Sequence, residues 1–311
     1  ALPILRFDFV FSAGPPQSLE VVVPPQARRT YNVNSIVGPG REVSTKVSVV
    51  GGSGVVAERA MYFAADPALG ATVRGGHAKP GARAAARKWY FAEGYTGSGF
   101  VEYLTLQNPD PMPSVAQVRF QFNPGTLPIT RTYDLPGNSR TTIRVNDVVG
   151  PGREVSVEIT VPADRPPIVA ERPMYFSADP LVGSVVTAGH DTAGALSPAK
   201  EWIFSEGYTG AGFVEWLTIQ NPSTTSSSTV RFEYVFNDGG LPIVYTRVLG
   251  PSTRTTFNVN ADVGPGREVS VRLTVISGDL VVCERPMYFA ADPALGAVVR
   301  GGTVSFGFPG S

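Results

Sequence analysis

The chain says the same thing three times, and that constrains its fold more than any single motif does. GPGREVS stands at residues 38, 150 and 264, ERAMYF or ERPMYF at 58, 171 and 284, and RGGH, TAGH or RGGT at 74, 187 and 300. Two further markers occur twice: WYFAEG/WIFSEG at 89 and 202, and FVEYLTLQNP/FVEWLTIQNP at 100 and 213. Ordered markers at a fixed period of about 113 residues mean one supersecondary unit per repeat, so a single fold has to serve all three. The first repeat lacks the portion that carries the two-copy markers.

Within a full repeat the apolar residues alternate in short runs. Strands are expected at 88–94, 100–108, 116–122, 127–135, 140–146, 153–161 and 168–176, with an eighth candidate at 184–189. They are bounded by NPDP, NPG, LPGN, GPG and ADP, where proline presets φ and glycine accepts positive φ. No segment keeps a 3.6-residue period over three turns. The 34 Gly and 28 Pro, against only four Lys, fit many strands and tight turns. The pattern predicts an all-β chain of tandem immunoglobulin-like antiparallel β-sandwiches, about seven strands per module. The expected boundaries are an incomplete module at 1–76, a linker at 77–87, complete modules at 88–189 and 201–302 with a linker at 190–200, and a tail at 303–311. The linkers are rich in Ala, Pro and Gly and are expected to be of intermediate stiffness.

Charge excludes some partners. The 26 basic and 26 acidic residues cancel, so no net field favours nucleic acid or an anionic membrane. No apolar run reaches the ~20 residues that span a bilayer. The chain opens without a signal-peptide pattern, so an exported form is expected to have lost one. Cys283 has no partner for a disulfide, and its counterparts are Ala57 and Ala170, so it reads as a small buried side chain.

The carboxylates and aromatics of WYFAEGYTGSGFVEYLTLQNP invite a catalytic reading. Alternation puts Trp89, Phe91 and Glu93 on one face of a strand, and in the last strand it puts Arg172 with Met174 and Phe176, and Glu171 with Val169 and Tyr175. A glycosidase needs two carboxylates at a set separation in a cleft, and the sequence shows neither. The reading that follows is a structural ion pair across the sandwich, using Glu93 with Arg172, Glu206 with Arg285, and Arg59 without a glutamate of its own. An active site copied along an array is unusual, whereas a core rule is copied in every module. Glu102 and Glu215 are expected to be half-buried or on an outer face. Asn146, Asp147, Asn260 and Asp262 lack the acidic, glycine-punctuated loop of a calcium site. His77 and His190 correspond to Thr303 in the third repeat, which argues against a shared metal. GYTGSG has no lysine and no strand-to-helix setting for a phosphate. The Ser and Thr of SRTT and TRTT have no nearby histidine base. No enzyme activity, metal or cofactor is expected.

The ordered run WYFAEGYTG, GFVEYLTLQNP, NSRTTIRVN, REVSVEI and IVAERPMYF resembles an uncharacterised repeat domain of secreted and cell-envelope proteins of actinobacteria, chloroflexi and related bacteria. The resemblance covers essentially the whole chain. It implies an exported β-sandwich used in tandem at the cell surface, and it carries over no catalytic residue.

The ends frame the functional expectation. Residues 1–11 match the third strand of a module, so the first sandwich lacks the two strands that would cover Arg59. The tail alternates Val304, Phe306 and Phe308 with Ser305 and Gly307, as a half-buried strand does. Strand addition between copies is therefore expected, with Ile4, Phe7, Phe9, Val304, Phe306 and Phe308 at the subunit interface. The expected protein is a non-enzymatic extracellular stalk or head-to-tail filament whose partners are copies of itself. The alternative is a carbohydrate-binding or adhesive array that stacks cell-wall or surface polysaccharide on Tyr95, Tyr208 or Trp216.

Overall fold

A computed structural model describes residues 2–310. Strand covers 55% of the chain and helix 5%, so the fold is all-β. The first repeat forms β1 (Ile4–Phe11), β2 (Gln17–Val22), α1 (Val33–Val37), β3 (Val43–Gly51), β4 (Glu58–Ala65) and β5 (Val73–Pro80). The second forms β6 (Lys88–Phe91), β7 (Phe100–Asn108), β8 (Ser114–Phe122), β9 (Ile129–Leu135), β10 (Ser139–Arg144), α2 (Val145–Val149), β11 (Val155–Thr160), β12 (Val169–Ala178) and β13 (Val186–Ala193). The third forms β14 (Glu201–Phe204), β15 (Phe213–Asn221), β16 (Ser228–Phe236), β17 (Ile243–Leu249), β18 (Thr253–Asn258), α3 (Val259–Val263), β19 (Val269–Ser277), β20 (Val282–Ala291), β21 (Val299–Phe306) and β22 (Phe308–Pro309).

Each complete repeat packs two antiparallel sheets. In the second they run β10-β7-β12-β13, the front sheet, and β9-β8-β11-β6, the back sheet. The third repeats this as β18-β15-β20-β21 and β17-β16-β19-β14. Alternation fills the space between the sheets: Trp89, Phe91, Leu104, Leu106, Val118, Phe120, Val157 and Ile159 are buried in one cluster. Each fully buried Leu, Ile or Phe contributes about 1.5–3 kcal/mol. The Trp89 indole N–H donates to the Ile168 carbonyl at 3.0 Å and that of Trp202 to Val281 at 2.8 Å, which satisfies the one polar atom of each ring.

The first repeat shows what a missing strand does. It has β2-β1-β3 and the hairpin β4-β5, with no counterpart of β6 or β7 among the described residues. In the second repeat β10 pairs only with β7. Without such a partner, the matching residues 28–32 form no strand, although their sequence RRTYN resembles RTTIR. Phe9 and Phe11 still close a small core with Val37.

One short helix per repeat was not expected. The five residues after the SRTT-type segment form a single helical turn, capped by the side chains of Asn32 and Asn258 in two of the three. Gly38, Gly150 and Gly264 end these turns at φ 86, 81 and 83, a region that strains other residues.

The repeats are not beads on spacers. β5 runs on to Pro80 and β13 to Ala193, well into the segments 77–87 and 190–200 expected to be linkers. The remaining residues are held by Ala86–Ile168, Tyr90–Ala195 and Ala199–Val281 bridges. β13 touches both β5 and β21. A parallel pairing of Thr253 with Phe122 joins the back sheet of the second module to the front sheet of the third.

The tail is engaged rather than free. β22 pairs with β14 of its own module through Trp202–Pro309 and Ile203–Phe308, as Ala195 pairs with Tyr90 one module earlier. Val304 lies within β21, opposite Pro286, and Phe306 packs on Trp202 at 6.5 Å. Phe308 alone is exposed. At the other end, Phe9 is fully buried in its own core, Phe7 stacks on it, and only Ile4 is exposed. The expected donor strand is thus already paired inside its own subunit.

Candidate functional site: a charged joint between modules

The site is built by a strand with two busy faces. β12 lies between β7 and β13, so all its backbone edges are used and its faces decide what it touches. Arg172, Met174 and Phe176 look toward their own sandwich and the module that follows, while Glu171 and Tyr175 look back to the module before. β20 does the same one module on, sending Glu284 and Tyr288 into the second module.

Arg172, wholly buried, meets two carboxylates there. Its Nη2 lies 2.8 Å from Glu93 Oε2 in the same module, and its Nη1 lies 2.8 Å from Glu284 Oε2 of the next. Nη1 also donates to the Glu93 carbonyl, and the Glu93 N–H donates to Glu284 Oε2 at 2.6 Å. Tyr288 Oη donates to Glu93 Oε1 at 3.3 Å. Burial lowers the Arg172 guanidinium, but Glu284, Glu93 and Glu102 outweigh it and hold it above its ordinary range. A guanidinium this far from water requires such partners, since losing them leaves an uncompensated charge.

Two carboxylates of the cluster, Glu102 and Glu284, carry the strain of burial. Glu102 on β7 is fully enclosed, and burial pushes its carboxyl up to about 8, relieved only in part by Arg172. Burial pushes Glu284 up to about 7 against the pull of Arg172. The Glu102 carboxyl lies over Gly94, where a Cβ would come within 2.6 Å of Oε2, so glycine is required at that position.

A second latch lies at the rim of the joint. Glu154, from the GPGREV motif of the second module, accepts from Arg254 Nη1 and, at 2.8 Å, from Thr256 Oγ1 of the TRTT strand in the third. Arg254 Nε also donates to the Ala92 carbonyl at 3.2 Å. The side-chain amides of Gln121 and Gln220 bond across the same joint.

Both latches recur between the first and second modules. Glu42 takes Arg140 Nη1 at 2.8 Å and Thr142 Oγ1 at 2.9 Å. Arg59 takes Glu171 of the next module at 3.2 Å. What Arg59 lacks in its own module is supplied otherwise: Asp191 of the second module binds it, and Lys79 bridges Glu171 at 2.8 Å and Asp191 at 3.2 Å. Asp191 stands where the third repeat has Val304, and Lys79 where the others have Thr192 and Ser305. A pocket of about 290 Å³ lies between the first two modules, beside Phe63, Tyr103, Arg140 and Tyr175.

An aromatic and a glycine seal each joint. Phe176 of the second module lies over Gly302 of the third, where a Cβ would sit 2.6 Å from its Cζ. Phe63 lies in the same way over Gly189, at 3.1 Å. The glycines of RGGH, TAGH and RGGT are thus places where hairpins of neighbouring modules approach closely.

The structure places the remaining sequence candidates as follows. Glu206 pairs with Arg285 at 2.8 Å, but its side chain is 69% exposed, so this is an open pair and not the buried one expected. Glu102 and Glu215 are buried inside, not half-buried or outer charges. Asn146 and Asn260 are structural: each accepts from the backbone N–H of Glu102 or Glu215 and donates to the carbonyl of Phe100 or Phe213. Asp262 takes the Tyr234 hydroxyl, and Asp147 pairs with Arg144. Among the described residues no group of acidic, His or Cys side chains has the geometry of a metal site. His190 is enclosed beside Phe176, and burial holds its imidazole well below the usual range. The Tyr95 and Tyr208 rings pack edge-on against Phe100 and Phe213 at 5.0 and 4.9 Å, and Trp216 is half-buried, so these three form no open stacking row. Sequence reasoning missed Glu171 and Glu284 as inter-module ligands. Their signal is alternation, which puts Glu171 and Glu284 on one face with the rings of Tyr175 and Tyr288.

No family model matches the chain, and no curated protein matches it. Among solved structures it is similar to the crystal structure of Thermotoga maritima 1070, at 16% identity and a TM-score of 0.32, over 37% of this chain and 97% of that one. It is also similar to the FMN-binding beta-glucuronidase from Facaelibacterium prausnitzii L2-6, at 12% identity and a TM-score of 0.14, over 96% of this chain and 37% of that one.

Proposed function

We propose that the chain is a non-enzymatic structural rod of the cell exterior, a stalk or filament element whose modules lock face to face. The observation that carries this reading is the recurrence of one joint: Arg59–Glu171 with Glu42–Arg140, then Arg172–Glu284 with Glu154–Arg254. Two separated latches on each joint resist both bending and twisting. Glu102, Glu215 and Glu284 are raised because they are buried within and between the modules, so the perturbation belongs to packing. The export setting rests on the resemblance drawn from the repeat motifs.

Small-angle scattering tests this. The expected result is one elongated particle with a single well-defined set of dimensions, which broadens when Arg172→Ala opens the second joint. A wild-type chain that already scatters as three independently moving bodies overturns the rod.

A further inference from the structure

The third module carries an open groove of about 660 Å³ between Glu206, Phe213, Val235 and Glu268. Its lining is the counterpart of the surface that, on the second module, the third module covers. Tyr90 and Gln121 are buried there, whereas the matching Ile203 and Val235 are exposed. Glu93 is 3% exposed, whereas the matching Glu206 is 69% exposed. Glu154 holds Arg254 and Thr256 across the joint, whereas the matching Glu268 reaches only Asn237 of its own module. Arg172 has a carboxylate from the next module, whereas Arg285 has only Glu206. The tail takes a place that is also filled at the internal joint, because β22 pairs with β14 as Ala195 pairs with Tyr90 on the second module.

We propose that this groove is a socket for the first module of a second copy of the chain, seated as the third module is seated on the second. The proposal rests on the structural reading above and names its partner. The first module presents the matching ligands unoccupied. Glu58, the counterpart of Glu171 and Glu284, is exposed, and Tyr62, the counterpart of Tyr288, is 85% exposed. Arg28 and Thr30, the counterparts of Arg254 and Thr256, are exposed as well. Seated in the same way, Glu58 meets Arg285, Arg28 meets Glu268, and Gly76 receives Phe289. The incoming face has no counterpart of β15, which supplies Gln220 and Val214 at the internal joint. The contact between copies is therefore weaker than the internal ones and depends on concentration. Because socket and plug are different surfaces, the contact is heterologous and propagates into an open chain unless its rotation closes a ring.

Sedimentation velocity across a concentration series, with electron microscopy of the heaviest fraction, tests the contact. Wild type is expected to shift from monomer to end-to-end chains. R285E and E58R are each expected to require at least ten-fold higher concentration, and an equimolar mixture of the two to assemble like wild type, because every contact in the mixture can pair opposite charges. E268R and R28E, both changes at exposed residues, form a second such pair and guard against a folding defect in R285E. A wild type that stays monomeric at all concentrations, or that assembles with indifference to all four changes, overturns the socket. A monomeric wild type that still scatters as one rigid rod leaves the structural reading standing while the socket falls.

Discussion

Glu93 and Glu206 hold the same position in successive modules and make the same 2.8 Å ion pair, with Arg172 and Arg285, yet the first side chain is 3% exposed and the second 69%. The difference is made by a neighbour. One sequence rule thus yields a buried charge under the third module and a solvated charge on the uncovered face of the third module itself, and the energetics divide accordingly.

Arg172→Ala removes the one cation between Glu93 and Glu284, both buried, and is expected to destabilise the chain by about 3–5 kcal/mol. Glu206→Ala removes a solvated partner and is expected to cost about 0–1 kcal/mol. Chemical denaturation of the two variants beside wild type compares them. Equal costs would contradict the assignment of burial to the neighbouring module.

Stability should fall as pH rises from about 6.5 to about 8. Burial raises the folded-state pKa of Glu102 and Glu215 to about 8 and of Glu284 to about 7. The folded chain therefore keeps protons that the unfolded chain has released, and stability is lost as pH climbs through those values. Below about 6.5 the half-buried His77 and the enclosed His190 act in the opposite sense, because the unfolded chain binds protons that they refuse. Melting temperatures across this window, in wild type and in Glu102→Gln, check the sign. The variant should show the shallower slope.

Glu154 and Arg254 should be coupled. Their pair lies between modules, so a double-mutant cycle with Glu154→Ala and Arg254→Ala is expected to return about 0.5–3 kcal/mol of interaction. Either single variant should also speed amide exchange at β18 and β20, which form the third module's side of the joint. Strict additivity would mean that the latch contributes nothing.

Gly302→Ala should loosen the second joint, since the added Cβ meets Phe176 Cζ at 2.6 Å, and overpacking of this kind costs about 1–3 kcal/mol. The ring of Tyr288 crowds the same point at 2.7 Å, so Phe176→Ala should recover part of the loss and not all of it. Thermal melts of the single and double variants test this.

Much of the sandwich could be read in advance because it depends on period. The alternation that puts Trp89 with Phe91, and Arg172 with Phe176, fixes which side chains enter the core whatever the strand order. What escaped depends on neighbours. His190 and Asp191 stand in an Ala- and Gly-rich run with little alternation, yet they lie in β13 because β12 offers it a full edge. Glu102 reads as half-buried or outer in the sequence because one strand cannot reveal that both its faces are covered. The helical turns are five residues long, too short for a 3.6-residue period to register, although an Asn before each of two turns and a Gly after all three were visible. The partners of Glu171 and Glu284 lie on other modules, and alternation within one repeat carries no information about a contact between two.

The two latches of a joint cross it with opposite polarity, the earlier module giving Arg172 at one place and Glu154 at the other. A single pin would leave a swivel; two pins of opposite sign leave neither swivel nor reversal. Any number of modules joined by this rule would wind as a regular screw with one pitch. Loops such as those at Asp179 and Asp292 would then return to the same side at fixed intervals, like steps on a spiral stair.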